Sequence, residues 1–433
     1  MVELISNSKA FLNDLGWFAN LVTIVSVLLS IKIVVELVKK LIAMYGKKRR
    51  EKIVGKMNDP GYIEWSRQVL KTIYAGSEFV SIYKKNYPAV IFRPGKDFRY
   101  PFSDLCYLES TEIGELLLTR VQKEYLRFLR DTVKRPKMRG FSTKEIVLDA
   151  AGLVIAISAR ATIYQHNVVT AHILEWELFK LYEKNKEISG DILSELAIRS
   201  AYHGGNSPNE AILKPSNAYP LISVQALVIY KDYKSPNDVK WKAIVAQRGK
   251  NVAIKPELWQ IHPAGGFEVY GDQDDHLDLH LTQGFDVSMA LLREYAEEIY
   301  RAEELDFRSD GRDSGSVLSE PHVEHLVRLI HANKASIDFL GVITDLTVLR
   351  HELSFLIVID DPEYSKYPIL GSSEATNIFS MTMAELKKTF SKQQIHSSSA
   401  GLLQLAIASD RLVSLGISEE LACDATRTPA EAG

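Results

Sequence analysis

HPAGGFEVYGDQDDHLDLHLTQGFDVSMALLREYAEEIYRAEEL, running from His262 to Leu305, is the stretch whose reading decides the fold. Its second half has helical periodicity: Ser288, Leu292, Tyr295, Ala296 and Ile299 fall on one stripe. Glu294, Glu297 and Glu298 share the opposite face at i, i+3 and i+4. Three like charges that close repel unless something neutralises them, and a hard divalent cation held by carboxylate oxygens would do so. Upstream, Gly265-Gly266 allows a sharp turn and a close approach of backbone to a ligand.

Gly266, Arg293-Glu294, Glu297 and Glu298 resemble the Nudix box: a glycine, a spaced acid, then Arg-Glu-x-x-Glu-Glu-x-Gly. The resemblance implies a loop–helix–loop that binds Mg²⁺ or Mn²⁺ through its glutamates, with water attacking a nucleoside-linked diphosphate. It implies that Glu294, Glu297 and Glu298 are metal ligands or base and that Arg293 orients them. Two positions depart from the pattern. An acid should closely follow Gly266, where Asp272 stands, but Gln273 to Gln283 separate Asp272 from the helix, and counting back from Arg293 reaches Phe285 instead. The helix-ending glycine is replaced by Tyr300. Gly265, Gly266, Trp259, Phe267 and Tyr270 are candidates to hold the nucleotide, the aromatics by stacking on its base.

The flanking sequence supplies the elements such a fold needs. Ile222 to Tyr230 and Trp241 to Gln247 read as strands, Glu320 to Asn333 as a helix, Asp338 to Leu346 and Leu353 to Ile359 as strands. Met383 to Phe390 and Ala400 to Leu412 read as helices. The expected fold is a Nudix-type α/β/α sandwich with a mixed sheet over residues 221–415, before a mobile tail (416–433). Glu352 and Asp360 are candidates for a further carboxylate facing the box. Asp272, Asp274, Asp275, His276, Asp278 and His280 form an acidic insertion, and His322, Glu324 and His325 share one helix; both groups read better as solvated surface than as metal ligands.

The first 220 residues are organised differently. Leu15 to Ile31 carries no charge and is just long enough to span a bilayer, its apolar character continuing to Tyr45. Trp17 suits one interface, and the basic run from Lys39 to Lys52 follows the span. The expectation is a single-pass cell-membrane protein with a short extracytoplasmic N-terminus (1–14), a transmembrane and juxtamembrane helix (15–45) and a cytoplasmic C-terminal bulk. Thr23, Ser26 and Ser30 form a small-residue stripe that would pair spans into a homo-oligomer. Asp59-Pro60-Gly61 breaks the helix.

Residues 59–200 read as a mixed, mainly helical region, with helices over Gly114 to Thr132 and Val169 to Lys184, a capping box at Ser142 to Glu145 opening another, and a core segment at Ala150 to Ala159. His166 and His172 read as packing residues, and 201–220 as a linker rich in Gly, Ser, Asn and Pro.

Composition bounds the function. With 433 residues, a net charge of -3 and 25% charged side chains, nothing suggests a duplex nucleic-acid binder relying on bulk positive charge. Its two cysteines, Cys106 and Cys423, form no ligand pattern. Two functions fit. One is a membrane-anchored, metal-dependent hydrolase of a nucleoside diphosphate-linked compound. The other is a nucleotide sensor controlling a transmembrane effector, since the composite resembles the membrane effectors of bacterial anti-phage cyclic-oligonucleotide signalling.

Overall fold

A computed structural model describes residues 33–38, 44, 46, 48–129, 137–184, 187–188, 191–233, 239–248, 258–269, 277–302, 314–371 and 375–422. It divides into two units, Met1–Lys56 and Met57–Gly433. The described residues of the first unit are helical, with Ile33, Val34, Val35, Leu37 and Val38 exposed. Leu15 to Ile31, and the stripe within it, lie outside the described residues. Among the described residues no helix is long and apolar enough to cross a membrane.

The second unit is mixed α/β. It opens with helix α1 (Pro60–Ile73), capped by Asp59, whose Oδ1 accepts from Gly61 N. Strands β1 (Val80–Ile82) and β2 (Lys85–Tyr87) pair with each other. They are followed by β3 (Ala89–Phe92), β4 (Cys106–Ser110), helix α2 (Arg120–Leu129), β5 (Arg139–Leu148) and β6 (Val154–Ile163). Helix α3 starts at Tyr164–Asn167, passes through a π turn at Val168–His172 and continues over Ile173–Lys184. Short helices α4 (Ala197–His203) and α5 (Pro208–Leu213) lead into β7 (Ile222–Asp232) and β8 (Lys240–Arg248).

Then come β9 (Trp259–Ile261), β10 (Ala264–Gly266), β11 (Glu268–Val269) and helices α6 (Leu277–Gly284), α7 (Val287–Tyr300) and α8 (Pro321–His331). Strands β12 (Ala335–Asp345), β13 (Arg350–Ile359) and β14 (Ala375–Thr382) precede helices α9 (Met383–Lys392) and α10 (Ser397–Ile407).

The main sheet runs β14-β8-β7-β13-β12-β3, with β9 added to β8 and β10 to β7. β7 and β13 are parallel and the other pairs antiparallel, so the sheet is mixed as expected. Alternation along the central strands feeds two cores. Val224, Ala226 and Val228 of β7, with Leu353, Phe355 and Ile357 of β13, face Leu291, Leu292, Tyr295 and Ile299 of α7. Leu227, Ile229, Leu356 and Val358 turn the other way, towards Leu402, Leu403 and Ala406 of α10. Burying each such aliphatic side chain stabilises by about 1.5–3 kcal/mol, and Leu292→Ala would cost about 2–5 kcal/mol.

The N-terminal region departs most from expectation. Residues 59–200 are mixed: beside their helices they contribute six strands, and β3 is the edge strand of the main sheet. Ser142 to Glu145 does not open a helix; it lies in β5, paired to β6 from Arg139↔Ile163 to Leu148↔Val154. A capping-box pattern is local and weak, and cross-strand pairing with a buried Phe141 and Ile146 overrides it. The segment Ala150 to Ala159 is a turn followed by half of β6, the turn fastened by Asp149 Oδ1 accepting from Ala151 N and Leu153 N. The helix expected over Gly114 to Thr132 spans Arg120–Leu129.

Residues 201–220 are not a loose linker. They hold the end of α4 and all of α5, with Tyr202, His203, Ala211, Ile212 and Ala218 buried. A second sheet, β11-β5-β6-β4, joins the strand after Gly265-Gly266 to this N-terminal region through Glu268↔Gly140 and Val269↔Arg139.

Candidate functional site

The site is built where α7 meets the β10 glycines. Asp286 caps α7, its Oδ1 accepting from Ser288 N (2.7 Å) and Met289 N (3.0 Å), and Ser288 Oγ accepts from Phe102 N. Both faces of the helix are covered: the apolar stripe is buried, and Glu294 and Glu298 are buried too, with Glu297 half-buried. A solvated acidic face is therefore not what these glutamates form.

Gly265 lies directly against Glu294, so that a Cβ at residue 265 would overlap the carboxylate. Arg293 ties helix to strand, donating from Nη1 to Glu268 O (3.1 Å) and from Nη2 to Gly266 O (2.9 Å) and Glu294 Oε1 (3.0 Å). Its Nε lies 4.0 Å from Glu297 Oε1. Burial pushes the Glu294 carboxyl well above its usual range; Arg293 opposes this, while Glu297, Glu298 and Glu268 add to it. The third glutamate has a partner that sequence reading missed: Glu298 Oε2 is in contact with Nδ1 of the buried His262. A titratable residue just before the glycines was the available signal.

Glu268 stands close behind Gly266, its Oε1 3.2 Å from where a Cβ on Gly266 would be. Asp272, Asp274, Asp275, His276 and Tyr270, with the side chains of Asp278 and His280, lie outside the described residues. Phe285 is no substitute acid: it stacks on Phe267 (centroids 5.2 Å apart) and meets Phe141 edge-on. That makes Phe267 a core residue, 1% exposed, and corrects its reading as a base-stacking platform. Trp259 is half-buried against Phe379 and Phe390. Tyr300, in the glycine position, is buried too; its hydroxyl meets Tyr295, which donates to Tyr364, and Arg301 takes the left-handed turn that ends the helix.

Glu352 is buried beside Arg350, which also donates to Ser223 Oγ (2.7 Å). Ser223 pairs with Gly266 on one side and Glu352 on the other, so this carboxyl and guanidinium lie one strand from the glycines. Burial raises the Glu352 carboxyl, with Arg350 and Arg248 opposing. Asp360 is exposed and bonded to Lys231 and Tyr233. His322 stacks on Tyr300 and Glu324 is exposed, so neither belongs to the site.

The donor set suits a hard divalent cation. Glu297, Glu298 and Glu268 all act on the buried Glu294, with Arg293 opposing them, and such an excess of negative charge calls for a proton or a positive ion. Among the described residues no three or more His, Cys, Asp or Glu converge as a ready-made cage. Mg²⁺-type sites do not require one, since one or two carboxylates with water and substrate phosphate suffice.

No family model and no curated protein matches the sequence. Solved structures to which parts of the chain are similar are Nudix proteins. The Nudix hydrolase from Alicyclobacillus acidocaldarius is 14% identical over 43% of this chain and 90% of its own, TM-score 0.25. The NUDIX domain of Shewanella oneidensis NrtR, complexed with ADP ribose, is 13% identical over 48% and 95%, TM-score 0.24. A bifunctional NMN adenylyltransferase/ADP ribose pyrophosphatase from Francisella tularensis, complexed with AMP and manganese, is 13% identical over 55% and 60%, TM-score 0.27. TM-scores this low do not fix a common fold, so the functional reading stands on the chain's own geometry.

Proposed function

We propose that this chain is a metal-dependent hydrolase of a nucleoside diphosphate-linked compound. The observation that carries the reading is the gathering of Glu294, Glu297 and Glu298 on one covered stretch of helix beside Gly265-Gly266, joined to it by Arg293. Glu297 and Glu298 would hold Mg²⁺ or Mn²⁺. The bound ion supplies charge neutralisation at phosphate and a more acidic water.

The chain's own residues supply the rest. Gly265 and Gly266 let the backbone approach a phosphate, and Arg293 fixes that backbone against α7. Glu294, with its carboxyl pushed up by burial, would act as the base that takes a proton from the attacking water. The test is product formation from a panel of nucleotides with Mg²⁺ or Mn²⁺, comparing wild type with Glu298→Gln. The substitution should lower turnover at least about 100-fold while sparing nucleotide affinity. Wild-type turnover no faster than the variant's, with binding retained, overturns the hydrolase.

One observation favours the second reading, a sensor. β11, directly after the glycines, is hydrogen-bonded to β5 of the N-terminal region, which gives an occupant of the glycine loop a direct connection to that region. A ligand drives a response only through a state it prefers. Membrane anchoring through Leu15 to Ile31 with the bulk in the cytoplasm belongs to the proposal and rests on the sequence. A cysteine replacing Ser6 should label in intact cells and one near Gly55 should not; the reverse pattern removes it.

A further inference from the structure

His262 stands on a short connection whose backbone is fixed on both sides. Ile261 N donates to Ser399 Oγ (3.0 Å), and Pro263 O accepts from Ala226 N (2.9 Å). The imidazole is buried. Nδ1 is in contact with Glu298 Oε2, and neither ring nitrogen has a hydrogen-bond partner among the described residues. A neutral imidazole needs one donor and one acceptor contact. An apolar side chain of that size would fill the space without leaving a buried ring nitrogen unmatched.

We propose that His262 and Glu298 together form a mixed nitrogen–oxygen donor pair for the divalent ion, and that the site therefore prefers a first-row transition ion such as Mn²⁺ to Mg²⁺. The inference rests on the hydrolase reading, in which Glu298 is a ligand. Nδ1 and Oε2 lie against each other, so a nitrogen and an oxygen donor stand side by side for one ion. Mg²⁺ takes oxygen ligands and gives up water reluctantly, whereas a nitrogen donor raises affinity along the first-row series. Hydrogen bonds at Ile261 and Pro263 anchor the backbone on both sides of His262.

The experiment is pulsed electron spin-echo spectroscopy of the full-length chain loaded with Mn²⁺. Directly bound imidazole should give ¹⁴N modulation, which converts to the ¹⁵N pattern when the wild-type chain is grown on ring-¹⁵N histidine. His262→Gln should abolish the modulation and reduce the preference for Mn²⁺ over Mg²⁺ about tenfold in competition titrations. Bound Mn²⁺ without nitrogen coupling, or coupling that survives in His262→Gln, overturns the inference and leaves the hydrolase standing. Failure of the wild type to bind Mn²⁺ at all removes both. The isotope arm uses the unaltered chain, so a folding defect in the variant does not blunt it.

Discussion

Gly265 and Glu294 occupy adjoining space with no room for a methyl group between them: a Cβ on Gly265 would overlap both carboxylate oxygens. The glycine is required here by the glutamate rather than by backbone angles. Gly265→Ala should therefore destabilise by about 1–3 kcal/mol, as overpacking does, and displace Glu294. Gly114→Ala, which meets nothing within 4 Å, is the control and should stay within about 0.5 kcal/mol. Urea unfolding of both decides the matter; equal effects would mean that the glutamate simply swings aside.

Arg293 makes its contacts through a planar fork, reaching Gly266 O, Glu268 O and Glu294 Oε1. Lysine carries the charge but not the fork. Arg293→Lys should cost about 1–3 kcal/mol and loosen β10 and β11, read as faster amide exchange at Phe267, whose N–H donates to Ile222 O. Unchanged exchange there would show that the fork does not hold the strand.

The Glu294 carboxyl sits well above its ordinary value of 4.5 because burial disfavours its charge. The folded chain then keeps a proton that the unfolded chain loses, so stability without divalent ions falls as pH rises from near 4.5 towards the raised value. Glu294→Gln should flatten that fall, and Mn²⁺ should offset it in the wild type. Unfolding in urea with chelator at pH 5 and pH 8 measures it; identical slopes in wild type and variant would sink the assignment.

Arg199 is fully buried and donates to Leu346 O (2.9 Å), Thr347 O (2.7 Å) and Tyr74 Oη (3.0 Å), which fastens α1 and α4 to the turn between β12 and β13. Arg199→Leu strips two buried carbonyls of their donor and should cost about 2–6 kcal/mol. A loss under about 1 kcal/mol in thermal unfolding would mean that water replaces the guanidinium.

A fragment beginning at Leu221 should fail as an independent domain. It lacks β3, which covers the β12 edge, and β5, which pairs with β11. Exposed strand edges invite association, so light scattering should show aggregates where a fragment from Met57 stays dispersed. A soluble, cooperatively melting fragment from Leu221 would refute this.

The parts of the fold legible in the sequence were those with strong local periodicity. β7, β8, α7, α8, β12 and β13 fall close to where alternation and the helical stripe put them. The grouping of Glu294, Glu297 and Glu298 followed from spacing alone, but their burial did not, because it depends on strands distant in sequence. β5 was hidden behind a capping pattern, and its strand character comes from pairing with β6 and β11. His262 was hidden because its meaning lies in Glu298, on another element. Residues 201–220 looked like a linker by composition, yet Ser207 and Glu210 form a reciprocal cap that starts α5.

Strand β3 also sets a timetable for biogenesis. Phe92 is made roughly 250 residues before its partner Val342. At ordinary synthesis rates that interval is on the order of 10–50 s. The nascent segment carrying Ala89 to Phe92 must therefore wait with its main-sheet edge unpaired until Val342 to Asp345 have been made, so this strand takes its native place only after β12 has been synthesised.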